Sequence, residues 1–245
     1  MGDRIADDGT AEHPRTVLPR QRAPWTLCSP AERRRRYSAA AMRDLVLYGS
    51  LESGHSYKVR LFLTLAEVPH RYVHVDLDLS RAERPEEFRR VSQFGEVPVL
   101  VDDGVPQAQS NAILLHLAQT TGKFGPPPRS SWDKLVTWLF WEANRSGFSM
   151  ANLRYYTRFE HAEPAARDFI RARAMTDMKT LDLELSARPF IAGSTPSIAD
   201  LSICAYVLLG SECGMDPKAW SNVATWLDRI RALPRFQPQY ALMKE

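Results

Sequence analysis

A switch of hydrophobic period within one short segment restricts the fold of this chain more than any other feature. Residues 45–48 form an apolar run that ends at Gly49, as expected of a buried strand. From Ser56 the apolar residues recur at helical spacing, and Pro69 ends that pattern shortly before a second apolar run begins at Tyr72. A strand, a helix and a strand in this order predict a βαβ unit with a right-handed crossover.

The following segment predicts the rest of a small mixed sheet. Two short apolar runs flank the Asp103-Gly104 pair, which is typical of a hairpin turn between antiparallel strands. A helix is expected from Ser110 to about Gly122, because glycine commonly follows the last helical residue. The order βαβ, a polar helical or irregular segment at 78–90, and then ββα predicts a thioredoxin-like domain.

Everything beyond a proline-rich linker is predicted to be helical. Three successive prolines make that linker, at 123–131, semi-rigid. The apolar spacing predicts a long helix over 132–159 with a bend near Gly147. Further helices are predicted over 164–186, 197–212 and 217–233, followed by a short C-terminal helix. The predicted fold class is therefore α/β plus all-α, with a thioredoxin-like domain over 42–122 and an all-helical domain over 132–245.

The charge of the chain is concentrated before the predicted folded part. The whole sequence has a formal net charge of +3, and residues 1–41 contain eight Arg and five Asp or Glu, so the remainder is neutral by difference. That distribution argues against a nucleic-acid partner. Because residues 1–41 are rich in Arg and Pro and lack helical or strand periodicity, we predict a disordered extension there.

Hydropathy and cysteine content narrow the cellular setting. The most apolar run, 201–209, is about half of the roughly 20 residues that a membrane-spanning helix needs, which predicts no membrane partner. Three scattered cysteines, Cys28, Cys204 and Cys213, are too few for a disulfide framework and fit a reducing, cytoplasmic location. The sequence also lacks metal-ligand spacing, a phosphate-binding glycine loop and a G-x-S-x-G elbow, so no metal site is expected.

Four short motifs stand at fixed places in this predicted fold. One lies in the turn between the first strand and its helix, where redox proteins of this fold carry two cysteines. A second precedes the third strand, a third opens the helix after the hairpin, and a fourth is a capping box. In chain order they are Ser53-Gly54-His55-Ser56, Gly95-Glu96-Val97-Pro98, Gln109-Ser110 and Ser197-Ile198-Ala199-Asp200. The first motif has no thiol for dithiol exchange, but its hydroxyls at a helix N-terminus can stabilise an anion.

In order and separation, these motifs and the aromatic residues of the long helix resemble the glutathione S-transferase family over about residues 44–240. The likeness is to its cytosolic, bacterial-like members with a serine-type active site. It implies a glutathione transferase with a role in detoxification, which uses glutathione as co-substrate, needs no cofactor and forms a homodimer. It places the contacts to glutathione at Ser53, His55, Glu96, Val97, Pro98, Gln109 and Ser110.

The resemblance assigns the catalytic role to Ser53, whose hydroxyl would hold the glutathione thiolate. A free thiol has a pKa near 8.5, and lowering it by about two units requires roughly 2.7 kcal/mol. One hydrogen bond to an anion supplies about 1.5–3 kcal/mol and the helix dipole up to about 1 kcal/mol more, so the two together suffice. Two alternatives stay open: Ser53 is an ordinary turn residue, or His55 donates to the thiolate. Tyr48 should face away from the site, because side chains alternate along a strand.

The other contacts also have implied roles. A cis bond before Pro98 would turn the backbone of Val97 toward an extended peptide, which pairs with it as an added strand. Ser110, at a helix N-terminus, suits the γ-glutamyl carboxylate, and Gln109 reaches the same group. Relatives commonly carry a basic residue at the position of Glu96, near the glycine carboxylate, so the acid here should repel it. A trans Pro98 and a plain helix cap at Ser110 are the alternatives.

The resemblance places the pocket for the electrophile on the first long helix, across a cleft from the glutathione site. The candidates are Trp141, Asn144, Arg145 and Phe148, although aromatic residues at this spacing also suit a core or a dimer contact. The sequence does not indicate the natural electrophile. Alternative functions are a transferase-like binding module without turnover, or a glutathione-dependent peroxidase, dehalogenase or isomerase on the same fold.

Overall fold

A four-stranded mixed sheet forms the N-terminal part of the structure, a computed structural model that describes residues 44–159 and 163–244. The extension predicted at 1–41 lies outside these residues. Strand β1 (Leu45–Gly49) pairs in parallel with β2 (Arg71–His74) and antiparallel with β3 (Val99–Asp102), which pairs antiparallel with β4 (Val105–Ala108). The sheet order β2-β1-β3-β4 confirms the predicted thioredoxin-like arrangement.

The turn between β3 and β4 has the backbone conformation that its sequence predicts. Asp103 and Gly104 both have positive φ angles, 48° and 81°. A two-residue turn of this kind matches the twist of the strands that it joins, so the predicted hairpin is confirmed.

Helices make up most of the remaining structure, in agreement with the predicted fold class. They are α1 (Gly54–Leu65), α2 (Glu86–Val91), α3 (Ser110–Thr121), α4 (Trp132–Asn144), α5 (Ser146–Arg158), α6 (Pro164–Ser186), α7 (Ile198–Val207), α8 (Ser221–Arg231) and α9 (Gln239–Leu242). Two short 3-10 segments, Gly210–Cys213 and Pro217–Ala219, lie between α7 and α8. None of the helices within the described ranges combines the length and hydropathy that crossing a bilayer requires.

The single bent helix predicted over 132–159 is wrong, because the chain there forms two helices. Arg145 separates α4 from α5 with φ −116° and ψ −97°, outside the helical region. The Arg145 Nε atom donates to Asp177 Oδ1 on α6 at 2.8 Å. Gly147 then passes so close to Glu142 that an added Cβ would lie 2.3 Å from its Oε1 atom. The interruption therefore comes from side-chain contacts that hydrophobic spacing does not encode.

Helix α1 is buried on all its sides over most of its length. Every residue from Ser56 to Leu63 is buried, because α3 packs on one side of the helix and α7 on another. One hydrophobic cluster runs from Leu45 of the sheet, through Phe62 of α1, to Trp226 of α8. The α/β part and the helical part therefore share one core, with α1 in the middle.

Lys58 carries a charge into that core. Its side chain is 0% exposed, and its ammonium donates to three oxygens on three other helices. These are Asn111 Oδ1 at 2.8 Å, Glu142 Oε2 at 3.0 Å and Ser202 Oγ at 3.1 Å. Burial is the largest single influence on Glu142 and opposes its ionisation, but the Lys58 ammonium and the hydrogen bonds from Asn111 and Lys58, acting together with His55, hold the pKa of Glu142 below its usual value. This cluster, the Lys58 hub, links α1, α3, α4 and α7.

The start of α7 is fixed by a second buried polar group. Asp200 Oδ2 accepts from the backbone N–H of Ser197 at 2.9 Å, which is the reciprocal bond of a capping box. Asp200 Oδ1 accepts from the backbone of Ile191 at 2.8 Å and from Trp226 Nε1 at 2.9 Å. The capping box therefore also ties α7 to α8.

Removal of Glu142 alone should destabilise the fold, because Lys58 would be left charged and buried. We expect Glu142→Leu to lower the free energy of unfolding by about 3–5 kcal/mol, measured by urea denaturation. The double variant Lys58→Met/Glu142→Leu removes both charges and should recover most of that loss. A double variant as unstable as the single one would contradict the ion-pair explanation.

Candidate functional site

Ser53 caps α1 at the turn that follows β1. Its Oγ atom accepts a hydrogen bond from the backbone N–H of Ser56 at 3.1 Å. Ser56, the other serine of the turn, does not cap the helix; it is buried, and its Oγ accepts from the backbone N–H of Ser50 at 3.3 Å. A hydroxyl that accepts one hydrogen bond still has its own hydrogen to donate.

A cavity of about 210 Å³ lies beside this turn. It is bounded by α1, the loop before β3, the start of α3 and the end of α4. Six residues expected to contact glutathione line its wall: His55, Glu96, Val97, Pro98, Gln109 and Ser110. Ser53 is not on the wall, but it lies two positions before His55 in the same turn. The predicted residues thus meet around one space although they come from three separate segments.

The backbone around the cavity has two special conformations. The Val97–Pro98 peptide bond is cis, and the paired register of β3 begins only at Val99, so Val97 lies just before the sheet. Gln109 precedes α3 with a φ of 68°. Ser110 is buried as the first residue of that helix, so the positive end of the α3 dipole faces the cavity.

His55 is a neutral imidazole in the cavity wall. Burial and, to a smaller degree, the nearby Lys58 ammonium lower the pKa of His55 to about 4, and the Glu142 carboxylate opposes that shift. The imidazole packs edge-on against Tyr206, with ring centroids 4.9 Å apart. Its buried Nδ1 atom has no hydrogen-bond partner within the part of the chain that the structure describes.

A second, larger cavity of about 780 Å³ adjoins the first and is basic. The two share the wall residues Phe94, Glu96 and Gln109. Arg84 in the larger cavity is committed to the backbone, since it donates to the carbonyl of Gly95 at 2.7 Å. The exposed Arg81 packs its guanidinium stem near Gly95 and makes no hydrogen bond to residues 44–159 or 163–244.

The residues predicted for an electrophile pocket do not line either cavity. Trp141 is half-buried against Trp138, and Arg145 is paired with Asp177. The backbone carbonyl of Asn144 accepts a hydrogen bond from the Arg173 guanidinium at 3.1 Å. Phe148 is exposed beside Arg173. Helix α4 reaches the smaller cavity through Glu142 and Ala143 instead. The signal for Glu142 in the sequence was a lone acid directly after the apolar segment from Leu135 to Trp141.

An ion cluster that sequence reasoning missed holds the turn of Ser53 from the other side. The Arg154 guanidinium, 4% exposed, donates to the carbonyl of Glu52 at 3.0 Å and to the Glu52 carboxylate. It also donates to Glu212 Oε2 at 2.6 Å, and the Tyr240 hydroxyl joins the same group. Because Glu52 immediately precedes Ser53, this cluster fixes the turn to α5 and to the C-terminal segment.

Comparison with known proteins identifies the family. Residues 52–120 match the model described as the N-terminal domain of glutathione S-transferase. A disulfide-bond oxidoreductase of Escherichia coli is 30% identical over 191 residues, which cover 74% of this chain and 87% of that protein. The chain belongs to the glutathione S-transferase family.

Two further relatives agree with membership of this transferase family. A maleylacetoacetate isomerase of Rhizobium meliloti is 42% identical over 202 residues, which cover 79% of this chain and 94% of that protein. The crystal structure of a glutathione S-transferase from Pseudomonas fluorescens superposes with a TM-score of 0.73 at 28% identity, covering 80% of this chain and 98% of that one. The family resemblance predicted from the motifs is thus confirmed.

His55 should titrate far below an ordinary histidine. We expect an NMR titration to place its pKa near 4. An unfolded histidine titrates near 6.5, so between the two values the unfolded state binds a proton that the folded state does not. The contribution of His55 to stability is therefore complete above pH 6.5 and is lost as the pH falls toward 4.

His55→Gln should accordingly reduce the fall in the free energy of unfolding between pH 6.5 and pH 4. The exposed His74 offers a matched control, and His74→Gln should leave that fall unchanged. If His55→Gln loses stability over this range as steeply as the wild type does, the buried neutral state of His55 is disproved.

Proposed function

We propose that this chain is a glutathione transferase that binds glutathione in the smaller cavity and activates its thiol for attack on an electrophilic small molecule. The observation that carries the proposal is the meeting of Val97, Gln109, Ser110 and His55 around one cavity beside Ser53. The relatives are named as a glutathione S-transferase, a maleylacetoacetate isomerase and a disulfide-bond oxidoreductase.

The tripeptide would be held by backbone and helix-end contacts. Val97 lies before the paired part of β3, so its N–H and C=O can bond an extended peptide as an added strand. The γ-glutamyl carboxylate would sit at the start of α3, where the Ser110 N–H and hydroxyl and the helix dipole favour an anion. The Gln109 amide would contact the same end of the ligand.

Ser53 would stabilise the thiolate. Its oxygen already accepts from Ser56, which orients the hydroxyl and leaves its hydrogen for the sulfur. Once ionised and aligned, the sulfur forms a bond to the electrophilic carbon, and the leaving group departs with the electrons of the bond that breaks. Proximity and electrostatic stabilisation supply the rate enhancement.

The larger cavity suggests how the glycine carboxylate is held despite Glu96. Glu96 lies on the wall between the two cavities, and Arg81 lines the larger one with a guanidinium that is not committed elsewhere in the described residues. A carboxylate placed near Arg81 would gain a charge-assisted hydrogen bond that offsets repulsion from Glu96. Arg81 would thus replace the basic residue that relatives carry next to the cis-proline.

Glutathione-dependent isomerisation is the second candidate. It is favoured by the 42% identity to maleylacetoacetate isomerase over 94% of that protein. The same thiolate would add to a carbon–carbon double bond, allow rotation and then leave, so the site requirements are shared. Exchange through a protein dithiol is not supported in the described residues, where Cys204 and Cys213 are both buried and burial raises the pKa of each thiol.

The proposal extends to the organisation of the protein. The glutathione site would belong to a domain over 42–122 and the electrophile side to the helical domain over 132–245. A cytoplasmic homodimer is proposed on the family resemblance. Contacts of the electrophile with Trp141, Asn144, Arg145 or Phe148 would require a neighbouring subunit or a rearrangement of α4 and α5.

Replacement of Ser53 tests the catalytic proposal. Ser53→Ala should raise the pKa of the bound glutathione thiol by about one unit or more and lower kcat/KM at neutral pH by about tenfold or more, because a hydrogen bond to the anion is lost. The substrates are glutathione and a chloroaromatic electrophile for transfer, or maleylacetoacetate for isomerisation. Full activity with an unchanged thiol pKa would refute the role of Ser53.

Replacement of Arg81 tests where the glycine carboxylate of glutathione binds. Arg81→Ala should weaken glutathione binding about tenfold in calorimetry, since a charge-assisted hydrogen bond is worth roughly 1.5–3 kcal/mol. Arg90→Ala removes an exposed arginine that pairs with Glu86 on the same short helix and should leave binding unchanged. Equal effects of the two substitutions would indicate a general electrostatic contribution instead of a specific contact.

A further inference from the structure

The hydroxyl end of Tyr206 lies over the first residue of α1. Tyr206 belongs to α7 and is 8% exposed. A Cβ added to Gly54 would lie 2.8 Å from Tyr206 Cζ, the ring carbon that carries the hydroxyl, and 2.9 Å from each of its two ring neighbours. This approach is possible only because residue 54 is glycine, and it brings a side chain of the helical part to the turn of Ser53.

The Tyr206 hydroxyl faces backbone donors there. Burial is the largest influence on this group and raises the pKa of Tyr206 to about 12, although the Arg154 guanidinium and the backbone N–H groups of His55 and Gly54 oppose that shift. Tyr206 therefore keeps its proton at neutral pH. Its hydroxyl hydrogen remains available to donate.

Two hydroxyl side chains thus lie at the first turn of α1. Ser53 accepts from the backbone N–H of Ser56, and the Tyr206 ring lies over Gly54 and packs edge-on against His55. An anion at this helix end would meet the positive end of the helix dipole and the hydrogens of both hydroxyls. The Ser53 hydroxyl is then one of two hydroxyl groups at the turn that can donate a hydrogen bond to an anion.

We propose that Tyr206 is a second catalytic residue, whose hydroxyl donates a hydrogen bond to the thiolate of bound glutathione alongside Ser53. The inference rests on the proposed function. In the ionisation step the S–H bond of glutathione breaks, its proton passes to water and the electron pair stays on sulfur. Tyr206 and Ser53 both keep their protons and stabilise the new charge.

The test is the pKa of the glutathione thiol bound to full-length protein, followed by the ultraviolet absorbance of the thiolate. Tyr206→Phe keeps the ring that packs on Gly54 and His55 and removes only the hydroxyl. It should raise the bound-thiol pKa by about one unit, and the double variant with Ser53→Ala should raise it further than either single change. Gly54→Ala, which pushes the ring away from the turn, should act in the same direction.

Tyr48→Phe is the matched control, because Tyr48 is a buried tyrosine that packs on Phe88 on the other face of the sheet. It should leave the thiol pKa unchanged. Calorimetry with glutathione distinguishes failure of the proposed role of Tyr206 from failure of the proposed function. If Tyr206→Phe binds glutathione with a wild-type thiol pKa, the role of Tyr206 is overturned and the proposed function stands. If the wild type does not bind glutathione, both fall.

Discussion

A buried ammonium must find acceptors inside the protein, and Lys58 finds all three of its own on other helices. That requirement fixes the positions of α1, α3, α4 and α7 relative to one another more tightly than apolar contact would, since dispersion tolerates small shifts that a 3 Å ion pair does not. The candidate site lies at the same junction. Asn111 and Glu142 belong to the Lys58 hub and also line the smaller cavity.

The α/β part alone does not complete the site. Its own segments supply the cis-proline, the start of α3 and the turn of Ser53. The helical part supplies Glu142 at the wall, Tyr206 over the first turn of α1 and Arg154 behind Glu52. Because one core runs through both parts, these contributions are held rigidly, and the proposed chemistry depends on a junction of two regions far apart in sequence.

Sequence patterns predicted the elements and the local motifs, because hydrophobic period, turn composition and helix caps are properties of neighbouring residues. The hairpin at Asp103-Gly104, the start of α3 at Ser110 and the core position of Tyr48 all follow from such local rules. The break at Arg145 and the approach of Tyr206 to Gly54 did not, since each depends on a partner far away in the chain. The residues expected for an electrophile pocket line neither cavity, and their contact with an electrophile stays a prediction.

Glu96 lines both cavities, whereas arginine side chains line only the larger one. A carboxylate on a wall shared by two cavities influences which ligand charges each cavity can accept. The carboxylate disfavours anionic ligands unless a basic side chain of the adjoining cavity compensates its charge, and it favours cationic or neutral ligands. If glutathione binds as proposed, ligand preference would depend on the balance between Glu96 and Arg81, so that exchanging either charge would alter which molecules are accepted as well as how tightly glutathione is held.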